Sequence, residues 1–217
     1  MTLSQYFLMN KARPIHKNVH YLPIYERHFA HMVNRPLVMF EIGAGGGGSS
    51  QMWKHYFGAF AQIVAIDINP GAAAFEDEQV KVRIGSQADH AFLADVISEF
   101  GAPDIVLDDG SHRMDDIQQT FQFLYQRTAW NGIYLVEDLH TAYWDEFGGG
   151  FRTPGTFIER CKDFIDEINA DHTRGFLPPT EITRSTLSMH IYDSIVVFER
   201  GRYLDKRSII TGDRDHY

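Results

Sequence analysis

Residues Phe40-Glu41-Ile42-Gly43-Ala44-Gly45-Gly46-Gly47-Gly48-Ser49 join an apolar run to a helix-forming segment. Residues 37–42 read as a short strand interrupted only by Glu41, and Ser49 or Ser50 can cap a helix running to about Tyr56. Glycine at such a junction lets the chain turn sharply and lie against a ligand with no Cβ in the way. The helix start adds free N–H groups. Gly43, Gly45 and Gly48 form G-x-G-x-x-G, the dinucleotide pattern.

Outward from this turn the pattern is α/β. Residues 63–68 read as a second strand ending at Asp67, residues 80–84 as a third, and residues 90–100 as a helix. Residues 104–107 form a fourth strand, closed by Asp108-Asp109-Gly110. Met114, Ile117, Phe121 and Leu124 recur at helical spacing, and that helix ends near Trp130-Asn131-Gly132. Residues 133–136 are a fifth strand. Thr153-Pro154 suits a helix start, followed by the stripe Phe157, Cys161, Phe164, Ile165 and Ile168. Residues 187–192 and 195–199 are two late strands joined at Asp193-Ser194. The spacing predicts a mostly parallel seven-stranded sheet with helices on both faces and one antiparallel edge strand. Residues 1–35, with a short helix over 22–32, read as an N-terminal helical cap segment. Residues 36–200 read as the core, and residues 201–217 as a polar tail.

A chain of 217 residues with 44% hydrophobic content can bury a core as one domain. Its 29 acidic and 20 basic residues give a net charge of −9, which suits neither a non-specific nucleic-acid binder nor an anionic membrane surface. Cys161 alone excludes an internal disulfide and a multi-cysteine metal site. No apolar run reaches the length of a membrane span, and the first ten residues lack the marks of a signal peptide, so the expected location is cytoplasmic.

Asp108, Asp109 and His112 follow the fourth strand, and Glu137 and Asp138 follow the fifth. Ligands of doubly wound sheets bind beyond the carboxyl ends of the strands, where these acids would face one another. Crowded carboxylates repel unless protonated or bridged by a cation, and hard oxygen donors suit Mg²⁺, with Mn²⁺ and Ca²⁺ as the other candidates. The acids can alternatively cap helices or pair with Arg113 and Arg127. His112, or its competitor His140, can take a proton near neutral pH. Tyr143 and Trp144 can form an aromatic wall. Asp67 can accept the ribose hydroxyls of a bound nucleoside or merely cap the turn that follows it.

Glu41, Gly43, Gly45 and Gly47 also form E-x-G-x-G-x-G, a pattern that resembles S-adenosylmethionine (SAM)-dependent methyltransferases. Asp108-Asp109-Gly110-Ser111-His112 and Glu137-Asp138-Leu139-His140-Thr141-Ala142-Tyr143-Trp144 resemble the metal-dependent sugar O-methyltransferases of macrolide biosynthesis, of the type that methylates the 2-hydroxyl of a 6-deoxyallose. A related group carries the label cephalosporin hydroxylase. His20-Tyr21-Leu22-Pro23-Ile24-Tyr25-Glu26-Arg27-His28-Phe29 resembles the segment preceding that domain, so the resemblance spans roughly residues 17–144. It implies a Rossmann-like class I methyltransferase fold. It also implies Mg²⁺ ligation by Asp109, Glu137 and Asp138, with His112 as general base. Glu41, Gly43, Gly45 and Asp67 would line the SAM site, Ser86 and Gln87 would lie near the adenine, and Asp108 near the methionyl end. Tyr25 and Glu26 would close over it.

The expected reaction is SAM- and Mg²⁺-dependent methylation of a hydroxyl on a sugar-like vicinal diol, in a small natural product or a glycan. A catechol-type O-methyltransferase, an NAD-dependent oxidoreductase and a non-catalytic binding protein are the alternatives. The hydroxylase label fits less well, because that chemistry calls for two histidines and one carboxylate on iron. The macrolide enzymes carry an additional N-terminal domain with no counterpart expected here, which leaves the acceptor open. Tyr6, Phe7, Leu8 and Met9 suggest a homo-oligomer contact, and Gly148–Gly150 a mobile lid.

Overall fold

Strand β1 (Leu37–Ile42) lies third from one edge of a seven-stranded sheet in a computed structural model that describes residues 1–204 and 206–212. The other strands are β2 (Ala61–Asp67), β3 (Val80–Ile84), β4 (Ile105–Asp108), β5 (Ile133–Val136), β6 (Thr186–Tyr192) and β7 (Ile195–Arg200). Their order is β3-β2-β1-β4-β5-β7-β6. β1 to β5 are mutually parallel, whereas β7 runs antiparallel to both β5 and β6. The reversed strand therefore lies one place in from the edge, and β6 is the edge.

Side chains of β1 alternate between two apolar layers. Met39 faces α1 (Leu3–Met9), α2 (Leu22–Phe29) and α3 (Gly48–Phe57). Phe40 and Ile42 face α4 (His90–Phe100), α5 (Met114–Leu124), α6 (Phe157–Ile168) and α7 (Glu181–Ser185). Burial on both faces explains the near-continuous apolar runs of the central strands. The first 35 residues contribute Leu3, Tyr21, Leu22, Tyr25 and Phe29 to the same core as β1, so they are built into the fold.

Several local expectations are corrected. The N-cap of α3 is Gly47, at φ +72°, and neither Ser49 nor Ser50. A Cβ there would lie 2.6 Å from the Phe75 ring, so glycine is needed on both conformational and steric grounds. Helix α6 begins at Phe157 with Thr156 as its cap, because Thr153-Pro154 is spent in a turn. Helix α1 was not anticipated, although Thr2 and Gln5 form a reciprocal capping box. Residues 201–204 and 206–212 carry no helix or strand, and the remainder of the expected tail lies outside the described residues.

Candidate active site

The strand order reverses between β1 and β4, the position at which doubly wound sheets open a crevice. A cavity of about 460 Å³ occupies it. Gly43, Gly45, Asp67, Ser86 and Gln87 form one end, and Asp109, His112, Glu137 and Asp138 the other.

The glycine turn fits here because side chains do not. Gly43 has φ +91°, and a Cβ on it would lie 2.1 Å from the Asp109 carbonyl oxygen. Gly45, at φ +49°, has open space where its Cβ would be. Its N–H donates to Asp67 Oδ2 at 3.0 Å, while Asp67 Oδ1 accepts from the Asn69 N–H at 2.8 Å. Asp67 thus caps its own turn and stands at the cavity rim. Gln87 is a bracket. Its Oε1 accepts from the Ser111 N–H at 2.7 Å, and its Nε2 donates to Asp108 Oδ1 at 3.0 Å and Thr120 Oγ1 at 2.9 Å.

The acidic end follows from sheet register. Ile42 is level with Asp108, and Asp108 with Val136, so Asp109 and Glu137 leave adjacent strands side by side. Asp138 at φ +52° and His112 at φ +57° both adopt left-handed backbone. Such conformations cost free energy in non-glycine residues and concentrate at functional sites. His112 Nε2 lies 3.7 Å from Asp138 Oδ2 and 3.9 Å from Asp109 Oδ1. Tyr21 donates its hydroxyl to Asp138 Oδ1 at 2.6 Å.

Lys17, which sequence reasoning missed, lies between the acids. Its Nζ contacts Glu137 Oε2 at 2.7 Å and also bonds to Asp109. Burial works to lower its pKa, but Asp109, Glu137 and Glu41 outweigh burial and hold the ammonium above its usual range. Glu137 also accepts from the Tyr25 hydroxyl at 2.6 Å. Burial and neighbouring Asp109 push the Glu137 carboxyl up to about 8 against the pull of Lys17. No local pattern marks Lys17. The only hint was an acid surplus needing a cation.

Three expected cofactor contacts are not in the cavity wall. Glu41 is fully buried behind the turn, where Ser50 bonds to its carboxylate and Trp53 Nε1 donates at 2.9 Å. Burial raises its pKa against the effect of Lys17 and these donors. Asp108 is buried under Gln87 and Tyr134, and desolvation pushes it up to about 7. Tyr25 is also fully buried, packed edge-on against Trp53 and pointing at Glu137. Glu26 does not close over the site; its carboxylate accepts from the Leu3 N–H. His140 is absent from the wall and its Nδ1 faces Ser194 Oγ at 3.2 Å.

The carboxylates fit a hard divalent cation, with the His112 imidazole beside them. Ligand atoms of Asp109, His112 and Asp138 all lie within 4.8 Å of one another, and Glu137 adjoins Asp109. For Glu137 to become an oxygen ligand through Oε2, the Lys17 ammonium has to leave that atom. A cavity with a glycine-rich wall at one end and a cation-binding, imidazole-bearing wall at the other can hold a nucleoside cofactor beside an oxygen acceptor.

No protein-family model matches this chain. It is 33% identical over 197 residues to demethylmacrocin O-methyltransferase of Streptomyces fradiae, covering 83% of this chain and 48% of that protein. It is 35% identical over 194 residues to the 8-demethyl-8-(2-methoxy-alpha-L-rhamnosyl)-tetracenomycin-C 3'-O-methyltransferase of Streptomyces olivaceus, covering 84% and 49%. The solved MycE methyltransferase of the mycinamycin pathway, in complex with Mg, SAH and mycinamycin VI, is similar with a TM-score of 0.79. Its identity is 32%, over 92% of this chain and 53% of that one. The chain spans about half the length of these relatives. Together with the fold and the acidic crevice, these similarities show that the chain belongs to the class I SAM-dependent O-methyltransferases related to the sugar-hydroxyl methyltransferases of macrolide biosynthesis.

Proposed function

We propose that this protein transfers a methyl group from SAM to one hydroxyl of a sugar-like vicinal diol on a natural product, with Mg²⁺. The observation that carries this reading is the single cavity joining the Gly43–Asp67 wall to the Asp109–His112–Asp138 cluster. Its glycine turn leaves space for the cofactor, and Asp67 stands ready to accept ribose hydroxyls.

Asp109, Asp138 and Glu137 would hold Mg²⁺, the last once Lys17 releases it. Bound there, Mg²⁺ supplies Lewis-acid polarisation of an acceptor hydroxyl. His112 takes the hydroxyl proton at Nε2, and Asp138 and Asp109, at 3.7 and 3.9 Å, stabilise the imidazolium that results. The cavity walls hold acceptor oxygen and methyl carbon in line, which is the larger part of the protein's contribution. Glu41, Asp108 and Tyr25 act from behind the wall. Glu41 anchors α3 under the glycine turn, Asp108 fixes Gln87, and Tyr25 orients Glu137.

No described helix is long and apolar enough to cross a membrane. A cytoplasmic homo-oligomer without nucleic-acid partners completes the reading. The net charge of −9 supports the lack of a nucleic-acid partner, and Leu8 and Met9, which stay exposed while Tyr6 and Phe7 pack on the core, support a contact between copies.

The test is transfer of labelled methyl from SAM to a panel of deoxysugar glycosides and catechols, with Mg²⁺ and with chelator. Mg²⁺-dependent labelling of glycosides supports the proposal. Labelling confined to catechols, or undiminished by chelator, contradicts it.

A further inference from the structure

A second cluster of metal-ligand side chains lies on the α2 face of the sheet edge. Ser188, His190 and Tyr192 alternate onto one face of β6, and Glu199 pairs with Ser188 across the β6–β7 ladder. The last turn of α2 lays His28 on that face. His28 Nδ1 is 2.9 Å from Glu199 Oε1, and His190 Nε2 is 3.5 Å from Glu199 Oε2. The three ligand atoms lie within 4.8 Å of one another.

We propose that His28, His190 and Glu199 form a binding site for a divalent transition ion of the zinc type, separate from the candidate active site. Two imidazoles and one carboxylate are a borderline-soft N₂O set, suited to Zn²⁺, Fe²⁺, Ni²⁺ or Co²⁺ and poorly suited to Mg²⁺. Zn–N and Zn–O bonds of about 2.0–2.1 Å put tetrahedral ligands roughly 3.3 Å apart. The observed 2.9 and 3.5 Å, which run to the two different oxygens of Glu199, are of that order. The ion would take the place of the hydrogen between His28 Nδ1 and Glu199 Oε1, and the neutral ring would carry its hydrogen on Nε2, toward Tyr192 Oη.

The surroundings favour a metal site over an isolated ion pair. His28 Nε2 lies 2.9 Å from Tyr192 Oη, a partner for the ring nitrogen that faces away from the ion. Ser188 Oγ donates to Glu199 Oε2 at 2.8 Å and lies 3.0 Å from His190 Nε2, so it holds both groups, and His190 would give up that contact to the ion. The His28 side chain is 2% exposed and those of His190 and Glu199 about a third, giving one rigid ligand and two with an open approach. The fourth position is left to solvent. An ion there would tie the end of α2 to the sheet edge, one helical turn beyond Tyr25.

The test is calorimetric titration of the full chain with Zn²⁺, together with the visible spectrum of bound Co²⁺. Asp109→Asn/Asp138→Asn serves as the background, so that the other acidic cluster does not contribute. The expected result is one equivalent bound with a tetrahedral Co²⁺ spectrum, weakened at least tenfold by His190→Ala and by Glu199→Gln. Both substitutions are at part-exposed positions, and circular dichroism checks their folding. Absence of binding in the background variant, or binding unchanged by both substitutions, would overturn the proposal.

Discussion

Lys17 Nζ lies 2.7 Å from Glu137 Oε2, joining residues 120 positions apart in the chain. The lysine enters from the segment before α2, while the glutamate leaves the carboxyl end of β5. Both side chains are about 2% exposed or less, and the same ammonium also pairs with Asp109. This contact fastens the N-terminal segment to the acidic end of the cavity and supplies positive charge where a divalent cation would do so.

Removing one partner of a buried ion pair strands the others, at a cost of about 3–5 kcal/mol. Lys17→Met is therefore expected to lower the melting temperature in chelator. Millimolar Mg²⁺ should restore more stability to this variant than to the wild type, because the cation takes over the charge. Thermal melts of both proteins with and without Mg²⁺ check this, and an equal Mg²⁺ effect on the two would contradict it.

His112→Ala removes the group assigned to proton transfer and none of the glycine wall. Turnover at saturating SAM should fall by roughly 10²–10⁴-fold, the usual worth of a general base. SAM affinity should stay within a few-fold. Paired calorimetry and single-turnover methyl transfer distinguish these effects, and wild-type turnover in the variant removes the assignment.

Gly43→Ala places a Cβ 2.1 Å from the Asp109 carbonyl oxygen at a φ that alanine rarely adopts. Backbone must move at the join between β1 and β4. The expected result is a loss of several kcal/mol of stability, with SAM binding lost in whatever remains folded. Gly45→Ala meets no neighbouring atom and bears only the strain of its φ, so it should destabilise less. Denaturant midpoints for the two variants make the comparison.

Asp77 illustrates a pH effect away from the cavity. Burial works to raise its pKa, but Lys54, Gln51 and the N–H groups of Val80 and Gln79 outweigh burial and depress it well below the carboxylate range. A depressed folded-state pKa contributes stability that is present above the unfolded value, near 4, and is lost as pH falls through the folded value. Asp77→Asn should cost about 1 kcal/mol at pH 7 for this part-exposed group, and the difference should shrink progressively below pH 4. Urea melts across that range test the sign.

Much of the architecture was legible because burial on both sheet faces leaves apolar runs with sharp ends. The predicted bounds of β1, β3 and β5 coincide with the observed strands. Capping was less legible. Ser49 and Ser50 resemble caps, yet the left-handed Gly47 holds that position, and Ser50 is committed to Glu41. The chemistry of Glu41 was misleading for a related reason. The resemblance implies a place for it in the cofactor site, but strand alternation sends its side chain under α3, where Trp53 and Ser50 satisfy it. Lys17 carried no local signal, because its meaning depends on partners more than ninety positions away.

The most direct measurement is calorimetric titration of the purified protein with SAM, with NAD as the comparison ligand. The account predicts saturable 1:1 binding of SAM, weakened roughly ten- to a hundredfold by Asp67→Ala through loss of charge-assisted ribose hydrogen bonds, and no comparable binding of NAD. Clear binding of NAD without binding of SAM would contradict it, and the glycine turn would then belong to the dinucleotide pattern.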